Sequence, residues 1–155
     1  MLSYKEIIKK IECLEESNIL ISALELNIFS VMGKSSMTAK QISRIANIQS
    51  EGADILLNAL AGMGVLLKFK NKYKNSSVTY KHFCSLSPDY KKGTVMLKKE
   101  NRSEYEQLHK IIKFGRDYKQ YESEETSDFR KMFTYAMHER SELYADKVAK
   151  IICRN

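Results

Sequence analysis

Between residues 65 and 80, Lys68, Lys70, Lys72 and Lys74 alternate with Phe69 and Tyr73. These side chains are the ones best suited to chemistry with a partner. Such a basic, aromatic-interleaved segment can grip phosphates or a minor groove. The same lysines on an edge strand would instead block strand-to-strand aggregation. Other reactive groups are sparse. Cys13, Cys84 and Cys153 are odd in number and far apart, which fits free thiols in a reducing compartment. His82, His109 and His138 are scattered, and His82 with Cys84 has no second pair at ligand spacing, so no metal site is expected. Glu15-Glu16 and Glu124-Glu125 are adjacent carboxylates. Neighbours on a helix point to different faces, so these read as solvated charges, not an acid–base pair. Gly62-Met63-Gly64 closes a helix instead of opening one and cannot cradle a phosphate. The sequence carries no G-x-S-x-G, H-E-x-x-H, C-x-x-C, P-loop or dinucleotide fingerprint. No catalytic, cofactor-binding or metal-ligating residue is therefore assigned.

The elements that must position the lysines follow from composition and period. A chain of 155 residues is one domain's worth of sequence and can bury a core without staples. Six glycines and one proline are few, which favours helices over sandwiches and barrels. No uncharged apolar stretch is long enough to span a bilayer, and the N-terminus lacks a signal-peptide apolar core. A cytoplasmic location without membrane contact is the expectation. Net charge is +7, unevenly spread: residues 1–36 carry −1, residues 37–92 carry +6 and residues 93–155 carry +2.

Ser3-Tyr4-Lys5-Glu6 is a capping-box pattern followed by Ile7, Ile8, Ile11 and Leu14 at helical spacing. Asn18 reads as the cap of a second run, Ile19 to Leu26, apolar on most sides and suited to a second chain. A short helix holding Ile28, Phe29, Val31 and Met32 ends at Gly33. Thr38-Ala39-Lys40-Gln41 is another capping box, opening a helix with Ile42, Ile45 and Ala46 on one face and Asn47 as its stop. Ser50 then caps a helix over 51–63 whose predicted buried stripe is Ile55, Leu56, Ala59 and Leu60, with Gly64 as left-handed cap. The period then changes to two. Val65 to Lys70 reads as a strand, Asn71-Lys72 as a turn, and Tyr73-Lys74 with Ser77 to Tyr80 as the return strand. Helix-turn-helix followed by a hairpin is a winged-helix arrangement.

Beyond it, Pro88 suits the first turn of a helix reaching towards Lys99, and Arg102 to Phe114 forms another, ended by Gly115. Tyr121 to Glu125 reads as an acidic loop. Two last helices hold Phe129 to Met137 and Leu143 to Ile152. The fold class is mainly α, a winged helix with a small hairpin, flanked by terminal helices. It is taken as one domain over 1–155, with segments 1–36, 37–80 and 81–155.

The predicted second helix of the helix-turn-helix, Glu51 to Met63, has no Lys or Arg, and Glu51 and Asp54 make its first turn acidic. Groove readers present Arg, Lys, Asn or Gln there, and misplaced carboxylates oppose phosphate attraction.

Several segments together resemble a family. Ala23-Leu24-Glu25-Leu26-Asn27-Ile28-Phe29 is similar to the "A-x-E-L-G-I-F" entrance of plant-type and bacterial small-molecule O-methyltransferases. Met37 to Ala46 resembles their "T-x-x-E-I-A" helix, Ile55 to Leu66 their "L-L-R-x-L-x-x-x-G-L/V-L" segment, and Phe133-Thr134-Tyr135-Ala136-Met137 their "F-x-x-x-M". Asn27 stands for the usual Gly, and Asn58 where Arg is common. Asn also accepts left-handed backbone.

The resemblance implies the winged-helix-like dimerisation domain of such an enzyme. Its terminal helices intertwine in a homodimer and it helps to wall the pocket of a small-molecule acceptor. Phe133 and Met137 are the implied substrate-binding residues. The S-adenosylmethionine site and catalytic base belong to a Rossmann-like domain expected after residue 155, so no cofactor and no activity are expected of this chain alone. The alternatives are a winged-helix regulator that binds DNA through its basic hairpin, and a complete small enzyme, for which no constellation speaks.

Overall fold

The computed structural model describes residues 1–100, 106, 108–114 and 127–153. They form two compact units, 1–90 and 91–155. In chain order the elements are α1 (Tyr4–Glu25), α2 (Ile28–Met32), β1 (Met37–Thr38), α3 (Ala39–Ala46), α4 (Ser50–Gly62), β2 (Leu66–Phe69), β3 (Lys72–Asn75), α5 (Ser77–Phe83), α6 (Lys92–Glu100), α7 (Leu108–Phe114) and α8 (Ser127–Ile152). The fold is mainly helical with one small antiparallel sheet, ordered β1-β3-β2.

Local chemistry sets most boundaries in the first unit. The Ser3 hydroxyl accepts from the Glu6 amide, and the Glu6 carboxylate accepts from the Ser3 amide at 2.8 Å. The Ser3 hydroxyl also donates to the Glu6 carboxylate at 2.7 Å, and this bond first, then that from the Ser3 amide, holds the Glu6 carboxyl below its ordinary pKa. The same reciprocal box joins Thr38 and Gln41 at the start of α3. Thr38→Ala should cost about 1 kcal/mol of stability in urea unfolding, the usual worth of such a cap. Asn27 (φ 57°) is left-handed, as its place at the family's usual Gly suggests, and Asn47 (φ 54°), read as the stop of α3, is left-handed too. Gly64 (φ 74°) turns the chain after α4, and the Val65 amide donates back to the Leu60 carbonyl at 2.9 Å.

The hairpin differs from expectation in three ways. Its two-residue turn is Lys70-Asn71, since Phe69 pairs with Lys72. Lys70 there has φ 53°, a left-handed conformation costing a non-glycine residue about 1 kcal/mol. Lys70→Gly should therefore raise the urea midpoint. Second, Ser77 to Tyr80 is not the return strand but the start of α5. The Ser76 hydroxyl caps it, accepting from the Thr79 amide at 3.1 Å, and this cap overrides the β-branched pair Val78-Thr79. Third, Met37-Thr38 adds a third strand, with Met37 opposite Tyr73.

Leu24, Ile28, Phe29, Met32, Ile42, Leu57, Leu60 and Cys84 are fully buried and form the core of the first unit. Phe29 and Phe83 stack with ring centroids 5.9 Å apart. The stripe of α4 is Ala53, Leu57 and Leu60; Ile55 is exposed, as is Ile45 of α3. The run Ile55 to Ala61 is apolar almost all round, so its sequence does not fix the rotation of the helix. Asn75, 4% exposed, donates from Nδ2 to the carbonyls of Phe29 and Gly33, each at 2.8 Å. It thereby pins β3 to the end of α2.

α1 is one continuous helix, and Asn18 does not break it. Within the run Ile19 to Leu26, Ala23 and Leu24 are buried in this chain's own core. In the second unit α8 is likewise continuous from Ser127 to Ile152, not two helices. Pro88 precedes α6 and is not in its first turn. The expected loop at Tyr121 to Glu125 and the expected helix start at Arg102 lie outside the described residues.

α6 meets α8 at Gly93. A Cβ there would lie 2.9 Å from the Cβ of Tyr135 and 3.3 Å from the Ala136 amide nitrogen. The Glu139 carboxylate, nearly buried, accepts from the Thr94 amide at 2.8 Å and from the Thr94 hydroxyl, closing the first turn of α6. Gly93→Ala would force the helices apart and should cost about 1–3 kcal/mol. Loss of amide-exchange protection at the start of α6 would show it. At the surface Lys91 pairs with Glu142 at 2.7 Å, and the Lys91 hydrogen bond chiefly holds the Glu142 carboxyl below its ordinary pKa.

Candidate functional site

Exposed apolar side chains gather on two helices. On α1, Tyr4, Ile7, Ile11 and Leu14 are exposed, Ile11 at 64%. Their spacing of three and four residues puts them in one stripe about 80° wide, at about 100° per residue. On α8, Phe133, Met137, Tyr144, Val148 and Ile151 are exposed and fall within about 60° of one another. A stripe of large apolar residues along a helix, left in water, marks an interaction surface. The sequence shows both periodicities, but only the structure shows that the side chains of both stripes are exposed.

Phe133 and Met137, the residues implied to bind an acceptor, lie four apart on this α8 stripe; Met137 is 36% exposed. The hairpin lysines do not act as one group. Lys68 faces inward: its Nζ donates to Asn58 Oδ1 at 2.5 Å and lies 5.3 Å from the Tyr73 ring centroid. Tyr73 Oη donates to the same Asn58 oxygen at 2.9 Å. Asn58 thus ties α4 to the hairpin, a role its sequence position does not reveal. Lys70, Lys72 and Lys74 remain exposed, while Glu51 in the first turn of α4 and Asp54 just beyond it are exposed. Cys84 is buried, and Cys13 and Cys153 are exposed free thiols. Among the described residues no group of three His, Cys, Asp or Glu could hold a metal ion, and no helix is long and apolar enough to cross a membrane.

A family profile described as the O-methyltransferase dimerisation domain matches residues 5–83, more than half of the chain. The chain belongs to this family. Search of curated proteins finds no match. Among solved structures, an O-methyltransferase family protein from Burkholderia thailandensis is similar, with TM-score 0.78 and 22% identity over 96% of this chain and 45% of that one. Human N-acetylserotonin methyltransferase in complex with SAM gives TM-score 0.77 at 14% identity, over 91% of this chain and 46% of that one. A riboflavin-derivative dimethyltransferase from Streptomyces davawensis gives 0.77 at 14% identity, over 97% and 48%. At these identities the likeness shows the fold. This dimerisation-domain chain spans about half the length of the structures it matches.

Proposed function

We propose that the chain serves an S-adenosylmethionine-dependent small-molecule O-methyltransferase as its dimerisation and pocket-walling half, in a homodimer with interlocking terminal helices. The observation that carries this reading is the family match joined to the exposed apolar stripe of α1, which begins at Tyr4 beside the first matched residue. The α3–turn–α4 unit and its hairpin act as a winged-helix scaffold that holds α1 and α2. The stripe on α8 supplies a second apolar surface, and Phe133 and Met137 on it contribute apolar wall to an acceptor site. Methyl transfer and cofactor binding are functions of the Rossmann-like half of such enzymes, so these 155 residues hold no cofactor and catalyse no transfer by themselves.

Cys13 lies on α1 between Ile11 and Leu14 and is exposed. A nitroxide placed on Cys13, with Cys153→Ser, therefore reports on pairing of α1 between chains. Pulsed dipolar EPR should show a defined inter-chain distance. Absence of dipolar modulation at tens of micromolar would contradict the dimer, and methyl transfer by the isolated chain would contradict the division of labour.

A further inference from the structure

The register of the hairpin sorts its side chains into two columns. Leu67 pairs with Lys74 and Phe69 with Lys72, and alternate residues share a face. The inward face carries Leu66, Lys68, Tyr73 and Asn75, of which all but Lys68 are buried. The outward face therefore has an apolar column on β2, Leu67 and Phe69, beside a cationic column on β3, Lys72 and Lys74. Phe69 is 76% exposed, and Lys70 at the turn lies 5.8 Å from its ring centroid. A shallow cleft of about 420 Å³ continues the surface past Leu67 and Lys74 to Lys34 and Tyr80. There Lys34 Nζ sits 5.2 Å from the Tyr80 ring centroid. Lys34, Lys70, Lys72 and Lys74 have no carboxylate within 4 Å among the described residues.

We infer that this face binds single-stranded nucleic acid without sequence preference. Four unneutralised cations call for a polyanion. The side-by-side columns fit one whose charge and flat apolar groups run in parallel: phosphates along Lys72 and Lys74, about 7 Å apart, and bases against Phe69 and Tyr80. A duplex fits less well. Its bases are stacked away from Phe69, and Glu51 in the first turn of α4, with Asp54 just beyond it, opposes insertion of that helix in a groove. The inference is independent of the methyltransferase reading.

Fluorescence anisotropy with a labelled short oligothymidylate tests it on the whole chain. Binding is expected with a dissociation constant on the order of 10 µM at low salt, weakening with a logarithmic salt slope of about −3 for four contacting lysines. Phe69→Ala should weaken it about tenfold, the worth of one stacked base. Lys72→Glu with Lys74→Glu should abolish it while leaving the helical circular dichroism unchanged. Lys5→Glu with Lys9→Glu, equal in charge change but on α1, should retain most of it. The inference is overturned if no binding occurs at low salt, or if the α1 pair weakens it as much as the hairpin pair. Tighter binding to a duplex of the same length, or to anionic phosphatidylserine vesicles in preference to the oligonucleotide, would overturn it too.

Discussion

Aspartate at both Ile11 and Leu14 should convert the protein from a two-chain to a one-chain species in sedimentation at micromolar concentration. Both side chains are more exposed than buried in the single chain, so the substitutions should leave the fold intact. In a two-fold dimer each substitution enters the interface twice. Burying an unpaired carboxylate in an apolar contact costs several kcal/mol. The dissociation constant should therefore rise by about a thousandfold or more. Glu16→Ala, on the opposite side of α1, should leave the mass unchanged. A persistent dimer in the double variant would place the interface elsewhere.

The second large effect is expected at Asn75. Asn75→Ala removes both donors that hold the Phe29 and Gly33 carbonyls. The Phe29 carbonyl keeps the Gly33 amide, so its loss is partial. The expected cost is about 2 kcal/mol in urea unfolding followed by tyrosine fluorescence. Asn75→Asp has nearly the same shape and should be worse at neutral pH, by a further 1–2 kcal/mol or roughly so, because a buried carboxylate would face two carbonyl oxygens. Its folded-state pKa would be raised above the unfolded value of about 3.9. The penalty is then full above the folded pKa and shrinks as pH falls towards the unfolded one. The gap between the Asp and Ala variants should close between pH 7 and pH 4.5. An Asp variant as stable as the parent at pH 7 would show that these two hydrogen bonds do not anchor β3.

The features legible in the sequence were those decided within a few residues. The capping boxes at Ser3 and Thr38, the helix stop at Asn47 and the left-handed turns at Asn27 and Gly64 stand where local chemistry puts them. Ser77 to Tyr80 was not legible as helix, because its β-branched pair outweighs a single capping serine in a pattern of four residues. β1 is two residues long and exists only through pairing with β3. Asn18 resembles a cap in sequence, yet α1 passes through it, since helical contacts on both sides outweigh the mild propensity of one Asn.

The candidate site divides in the same way. The family segments around Ala23 to Phe29 and Ile55 to Leu66 could be read directly. The stripe of α1 could be counted, but its exposure depends on how much of the helix α2 and α4 cover. The apolar run thought to meet a second chain, Ile19 to Leu26, instead gives Ala23 and Leu24 to its own core. The hairpin lysines look equivalent in sequence. Strand register separates Lys68, held by Asn58, from the outward Lys72 and Lys74.

The central claim is that this chain pairs with a second copy of itself. Sedimentation equilibrium of the unmodified protein at a few micromolar tests it most directly. A mass twice the 18.0 kDa of the chain is expected, independent of salt, as an apolar interface requires. A mass of 18.0 kDa at that concentration would contradict it.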